Sequence, residues 1–467
     1  MGAALLIVAS ASATAVAAFR EVDAVVGALR EGQDLQLGQD LAEADAGKPQ
    51  TIMVLGSDKR SKGAVDYDGT ARSDTIILVR LDPSKNATAL LSLPRDLKVR
   101  IPGHGSAKVN EAYTIGGPKL TLRTVKRLTG LSINHVINVD FQGFRGAVNE
   151  VGCVYADMDR RYFNDNTGAQ RYATIDIQPG YQKLCGQDAL DYVRHRHSDN
   201  DIVRAARQQD FLRQAKDQAR VGELFQKRGK LVKIFGRYTD SDSRLRSRES
   251  VLRLVKLVFA SAGRPIREVH FKGRIGFSFV TASSRTVKRA AAEFLGVEAT
   301  DGPITKISGK PRRSTRKRDR RPANLEDATG AGRDQAAQAA AAGARIPIFY
   351  PRQRLRGAIF KDAPRVYAIR DPEGKVHNSY RMVLQRGGVV PEYHGLQGTA
   401  WKDPPILQNP SEKRRIRGRL YELHYDGDRL RLVAWRTKRG AYWLTNSLLQ
   451  TLTERQMLGI AASTRTL

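Results

Sequence analysis

"DTIILVRLDPSKNATALLSLPRD" (residues 74–96) sets two apolar runs on either side of a turn rich in Asp, Pro, Ser and Asn, and closes on an arginine and an aspartate. The runs have the composition of buried strands, and the Asp-Pro-Ser turn sends the chain back on itself. Residues 74–93 therefore predict a hairpin that starts with Asp74 and finishes at Pro94, Arg95 and Asp96. Upstream, "TIMVLGSD" (51–58) is a further short apolar run, and it delivers Asp58 at its exit. Polar groups at strand ends are well placed for ligands.

Working outward, "KLTLRTVKRL" (119–128) has helical spacing and is followed by Gly130, while "HVINV" and "VYADM" read as strands around a helix at 141–150. Alternating elements imply an α/β class with a layered, mixed central sheet flanked by helices. "GQDALDYVRHR" and "IVRAARQQDFLRQAKDQ" are helical, and on the second Arg204 shares a face with Arg207 and Gln208. Asp201 stands near the start of that helix, where capping is its ordinary role. Helix patterns and the strand-like "GFSFVTA" carry the first domain over residues 50–300. Residues 301–345 combine a basic run with Gly/Ala-rich low complexity and are expected to be a linker. Residues 346–467 regain aromatic content, with "RLYELHY" and "RLRLVAW" meeting at "DGD", and predict a smaller α+β domain.

The first nineteen residues hold no charge and read as a membrane anchor shortened at its start, with a cleavable signal as the alternative, followed by a polar helical connector over 20–49. Both place the remainder outside the cytoplasm, where the two cysteines, Cys153 and Cys185, are expected to form a disulfide rather than remain buried thiols. The formal charge of +31 attracts anions of any kind, from nucleic acid to acidic lipid and phosphate-rich polymer.

At the ends of these elements acids and cations recur: Asp58 and Arg60, Arg72 and Asp74, Arg95 and Asp96, Lys108 and Asn110, then Arg194, Arg196, Asp201, Arg204 and Gln208. Carboxylates suit a hard cation and the arginine fork suits phosphate oxygens, so the mixture points to metal-assisted chemistry on a pyrophosphate. Taken singly each has a commonplace role: Asp58 or Asp74 as a turn residue, Arg72, Arg95 or Arg207 as a surface ion, His195 and His197 as solvated helix-end residues. No P-loop, nucleophile elbow or zinc motif is present.

In order, "LGSDKR", "ARSDT", "LSLPRD", "KVNEAYTIGG", "VDFQGF" and "GQDALDYVRHRHSDNDIVRAARQQDFL" resemble the LytR-CpsA-Psr family of cell-envelope phosphotransferases, over about residues 50–220. The resemblance implies an extracytoplasmic enzyme that moves a glycopolymer from a polyprenyl-diphosphate carrier onto peptidoglycan, with an apolar cleft for the prenyl chain. It implies that Asp58 and Asp74 bind Mg²⁺ (or Mn²⁺). Arg72, Arg95, Arg194 and Arg196 would be catalytic, Lys108, Arg204 and Gln208 would contact phosphates, and Asp201 would orient them. Val203 stands where family members often carry Gly. A sugar hydroxyl attacks the sugar-proximal phosphorus, and no general base is assigned between Asp74 and Asp96. Peptidoglycan and membrane lipid are the expected partners, with the oligomeric state open; the arginine- and alanine-rich composition suits an envelope of actinobacterial type, where arabinogalactan or a related polymer is the expected cargo. Hydrolysis of the same lipid diphosphate is the nearer rival. A nonenzymatic polyanion binder ranks below both, since the densest cations lie in the linker and no nucleic-acid signature accompanies them.

Overall fold

The computed structural model describes residues 15–57, 73–85, 87–167, 173–195, 200–218, 221–262, 264–276, 278–296, 324–388 and 391–467. The chain divides into two compact units, one of residues 1–154 and 184–302, the other of residues 155–183 and 303–467.

The first unit opens with helix α1 (Ala15–Glu31) and is built on a six-stranded mixed sheet. In chain order its elements are β1 (Gln50–Ser57), β2 (Ser73–Leu81), β3 (Thr88–Leu93), the small hairpin β4 (Lys98–Ile101) and β5 (Gly105–Lys108), α2 (Glu111–Thr129), β6 (His135–Asp140) and α3 (Phe141–Glu150). After strands β7 (Val154–Met158), β8 (Tyr162–Asn164), β9 (Ile175–Ile177) and β10 (Gly180–Leu184) come α4 (Gly186–Arg194), α5 (Asp201–Gln218), α6 (Val221–Tyr238), β11 (Thr239–Ser241), α7 (Arg248–Ala262), β12 (Ile266–Val269) and α8 (Ser284–Phe294). The sheet order is β11-β6-β1-β2-β3-β12. The expected hairpin is present as β2 and β3, antiparallel with Ile76 opposite Leu93.

Both faces of this sheet are buried, which is why its strands read as continuous apolar runs. On one face Ile52, Leu81 and Ile137 pack with Val22, Val25 and Leu29 of α1, Leu231 of α6 and Val251, Leu254 and Val258 of α7. Their alternates Met53, Leu55, Ile76 and Leu78 are equally sealed. Helix α1 therefore runs unbroken through the boundary at residues 19 and 20 that divided anchor from connector, because its valines complete the core. Residues 1–14 lie outside the described residues, and among the described ones no helix is long and apolar enough to cross a membrane. Helix α2 begins at Glu111, eight residues before its amphipathic pattern, and its first turn is separated from the rest by non-helical Gly116 and Gly117. Among the described residues of "GFSFVTA", Val280–Thr281 is the extended part.

Cys153 and Cys185 form a disulfide with Cα atoms 4.5 Å apart. Both belong to the first unit and flank the stretch that leaves it. That stretch corrects the continuous first domain expected over residues 50–300: residues 155–183 belong to the second unit because their polar and aromatic groups are completed there. Asp157 faces Arg381 at 3.1 Å and accepts a hydrogen bond from the Trp443 indole at 2.8 Å, while Tyr155 and Tyr181 pack on Trp401.

The second unit's main sheet contains β13 (Ala358–Phe360), β14 (Arg365–Arg370), β15 (Val376–Arg386), β16 (Glu392–Thr399), β17 (Glu412–Ile416), β18 (Arg419–Asp426), β19 (Arg429–Thr437) and β20 (Gly440–Thr445). Its order is β13-β15-β16-β20-β19-β18-β17, with β14 also on β15. Strands β18 and β19 form the hairpin expected around "DGD". The expected linker over residues 301–345 is corrected in its second half: helix α9 (Thr329–Ala341) buries Ala336 and Ala339 in this unit's core. Alanine favours helix and lets it approach closely, so a low-complexity composition here conceals a packed element. The last helix, α10 (Glu454–Ser463), starts later than its pattern, at a capping box of Thr453 and Gln456.

Candidate active site

Sheet topology gathers four chain segments at one edge of the first unit. Strand β1 runs antiparallel to β2 and parallel to β6, with Ser57 paired to both Ser73 and Asp140. The exits of β1 and β6, the entry of β2 and, through the Ile76–Leu93 register, the exit of β3 therefore lie together. Asp74 is the second residue of β2, so its backbone stands at this edge. Asp140 caps α3 by accepting from the Gly143 amide at 2.7 Å.

Beyond β3, Arg95 and Asp96 meet the start of α5. The Arg95 guanidinium lies 3.8 Å from both Asp96 and Asp201. Lys108 reaches Asp96 at 3.1 Å, and Arg204 is in direct contact with Asp201. The second Asp201 oxygen accepts from the Asp96 amide at 2.7 Å. Three cations thus surround two carboxylates in a group whose side chains are 6–30% exposed, leaving excess positive charge near solvent.

Asp201 can take this role because it is not the cap of its helix. Asn200 is: its side chain accepts from the Ile202 and Val203 amides at 2.9 and 3.0 Å. The sequence reading missed Asn200, although an Asn immediately before a helical run is itself a capping signal. Val203, at the position where glycine is common in the resembling family, lies buried in the first turn of α5 without breaking it.

The two carboxyls are tuned in opposite directions. Burial would raise Asp96, but the charge of Arg95 and the hydrogen bond from Lys108 hold it below the ordinary carboxylate value. Asp201 is lifted above that value by its deeper burial, against the pull of Arg204, with the charge of Asp96 adding to the rise.

Gln208 joins this cluster to the end of α4. Its amide donates to the Thr75 hydroxyl at 3.0 Å and to the Val193 carbonyl at 3.2 Å, so it ties the residue after Asp74 to the residue before Arg194. Gln208 is buried, and these bonds give it a positioning role. Arg207, fully buried, donates to the His195 carbonyl at 2.6 Å and holds the chain between α4 and α5. His195, expected as a solvated helix-end residue, is also fully buried, its carbonyl held by the equally buried Arg207. The Arg194 guanidinium stacks 4.0 Å from the Phe141 ring at the start of α3.

Of the expected site residues, the structure brings Arg95, Lys108, Asp201 and Arg204 into one cluster, and Gln208, on the same helix as Asp201 and Arg204, bonds the carbonyl of Val193, the residue before Arg194. Asp58, Arg60, Arg72, Arg196 and His197 lie outside the described residues, and Asp74 is described in its backbone alone. Glu111, Thr75 and Phe141 were not anticipated; Glu111 accepts from the Lys108 amide at 3.2 Å, fixing the end of β5.

The LytR_cpsA_psr family pattern matches residues 13–281. One relative, the polyisoprenyl-teichoic acid–peptidoglycan teichoic acid transferase TagT of Bacillus subtilis, is 34% identical over 173 residues, covering 37% of this chain and 53% of the relative. The probable cell wall biosynthesis protein LcpB of Corynebacterium glutamicum is 36% identical over 171 residues, 34% of this chain and 39% of its own length. The chain thus spans about half or less of these two relatives. Among solved structures, B. subtilis TagV is 24% identical with a TM-score of 0.41, covering 55% of this chain and 100% of that one.

Proposed function

Because the chain belongs to the LytR_cpsA_psr family, we propose that it is a phosphotransferase that moves a glycopolymer from a polyprenyl-diphosphate carrier onto peptidoglycan, forming a phosphodiester. The observation that carries this reading is the strand-edge cluster in which Arg95, Lys108 and Arg204 outnumber Asp96 and Asp201. Arginine forks and an ammonium set around a partly open mouth are complementary to a diphosphate. Arg72 and Arg196 are assigned with them by motif, and Arg194 by its place at the end of α4.

A divalent ion fits the donor chemistry of this edge. Asp58 and Asp74 are assigned as its holders by motif, as the family resemblance implies, while Asp96 and Asp201 are already engaged by cations and a backbone amide. Mg²⁺ bound there would neutralise charge on the phosphoryl oxygens. The chain's own residues bind and orient: Arg95 and Lys108 face the diphosphate, Arg204 is held by Asp201, and Gln208 keeps α4 in register with β2. As the acceptor hydroxyl's oxygen bonds to the sugar-proximal phosphorus, the bond from that phosphorus to the bridging oxygen breaks, the lipid monophosphate leaves and takes up the hydroxyl proton directly or through water, and the guanidiniums offset the growing charge. Asp96 serves to hold Lys108, since a carboxylate kept below its ordinary range is a weak base.

The deciding experiment incubates the full chain with a lipid-diphosphate-linked glycan, Mg²⁺ and peptidoglycan fragments, and analyses products by mass. A phosphodiester-linked glycan supports transfer. Free glycan phosphate identifies a hydrolase, and no turnover with any divalent ion would defeat the reading. The N-terminal stretch, as a membrane anchor, would hold the unit beside its lipid carrier.

A further inference from the structure

Outside the diphosphate cluster, a basic ladder extends from Lys108. In the β4/β5 hairpin Lys98 and Lys108 are direct cross-strand partners. Leu97 bridges Val280, and Arg274 pairs with Thr281, so the next row runs Lys108, Lys98, Thr281, Arg274 across the ribbon. Burial agrees with that register. Val109, Leu97 and Val280 form the inner row, while Lys98, Thr281 and Arg274 are exposed. Arg100, two residues along its strand from Lys98, is exposed as well, and so is Lys272, which lies just ahead of the short strand that Arg274 opens.

Like charges placed opposite each other on a ribbon repel. Lys108 is relieved by Asp96, but among the described residues no carboxylate pairs with Lys98, Arg100, Lys272 or Arg274. The shared relief is an aromatic ring: Phe279 lies 5.3 Å from the Lys98 ammonium and 5.9 Å from that of Lys108. An exposed face that gathers cations and steadies two of them over a ring, with a carboxylate partner for Lys108 alone among the described residues, is complementary to a chain of anions.

We infer that the face formed by Lys98, Arg100, Lys272, Arg274 and Phe279 binds the phosphates of the glycopolymer itself, beyond the diphosphate that Lys108 meets. Strands lie about 4.8 Å apart, so Lys98 and Arg274, with Thr281 between them, stand about 10 Å apart across the ribbon, a span that a flexible phosphodiester chain can bridge. Continuity with Lys108 favours the polymer over a membrane surface, because the row leads away from the carrier's diphosphate. The identity of the polymer rests on the transfer reading; the anion seat stands on the ladder alone.

The test measures binding of soluble poly(glycerol phosphate) to the full chain, with dextran as the uncharged counterpart. The expected result is salt-sensitive binding of the first and none of the second, with Lys98→Ala/Arg274→Ala weakening it about tenfold. The same variant leaves unchanged the turnover of a lipid-linked disaccharide diphosphate, which carries no further phosphate. A control pair on α2, Lys119→Ala/Arg127→Ala, removes two exposed cations and shifts binding less than about twofold. Unaltered affinity in the first variant, or equal weakening by the control pair, overturns the inference. So does preferential, Lys98- and Arg274-dependent binding to phosphatidylglycerol vesicles. Should the wild-type chain turn over no lipid substrate, the transfer reading falls while the binding comparison still decides the seat.

Discussion

Asp157 in the second unit meets Arg381 with side chains 5% and 0% exposed, whereas Asp201 in the first meets Arg204 inside a group that reaches solvent through Lys108 and Asp96. The sealed pair is satisfied by one guanidinium, the Trp443 indole and strand neighbours such as Thr445, which bonds Arg381 at 3.1 Å. The edge cluster carries more cations than acids. Removing charge from water is costly and is balanced in the sealed pair by the partner charge together with fixed hydrogen bonds such as those of Trp443 and Thr445. At the edge, partial exposure lets the surplus cations await an external anion. Burial raises the Asp157 carboxyl despite Arg381, while Arg95 and Lys108 hold Asp96 low, so the same residue type serves packing in one place and an open electrostatic site in the other.

The largest expected effect breaks the sealed member. Arg381→Ala strands the Asp157 carboxylate and should lower unfolding stability by about 3 to 5 kcal/mol in urea titrations, while Asp157→Leu/Arg381→Met recovers most of it. If the single variant is as stable as the parent, the pair is not the lock it appears from its burial. Next, Cys153→Ser/Cys185→Ser removes a closure of 32 residues around the stretch shared with the second unit. It should cost roughly 3.5 kcal/mol on the chain-entropy account, and reductant should lower the parent's unfolding midpoint alone.

At the open site, Arg95→Ala should reduce transfer about a hundredfold while moving stability by less than about 1 kcal/mol. A parallel loss of both would place Arg95 with the structural ion pairs instead. The smallest effect is a pH slope. Asp96 has a lowered folded pKa, so its contribution is present above the unfolded value of about 3.8 and disappears as pH falls through the folded value. Asp96→Asn should therefore be less stable than the parent at pH 6, by under about 1 kcal/mol, and converge with it in acid. Asp157, with a raised pKa, contributes in the reverse sense: its part of the stability declines as pH rises above about 3.8.

What was legible in the sequence was local. The hairpin of β2 and β3 and that of β18 and β19 announced themselves through apolar runs and turn residues adjacent in the chain. The ordered motifs also marked Arg95, Lys108, Asp201 and Arg204, as part of a larger set with Asp58, Arg72, Asp74, Arg194, Arg196 and Gln208. Three features were illegible for a shared reason. The alanines of α9 looked like linker because their partners, such as Tyr350 and Leu355, are contributed by other segments. The valines of α1 fall in the stretch that reads as a polar connector because Leu231 and Val251, their partners, lie more than two hundred residues away. Phe279 gave no sign of its role, since the lysines it steadies are in a distant hairpin.

The sequence by itself determined the strands, the turns and the kinds of charge gathered at their ends, because periodicity and turn chemistry act over a few bonds. Only the tertiary structure decided that residues 155–183 complete the second unit, that Asn200 rather than Asp201 caps α5, and that Asp96 and Asp201 titrate apart. Each depends on desolvation and on hydrogen-bond geometry between groups whose distance in space bears no relation to their distance along the chain.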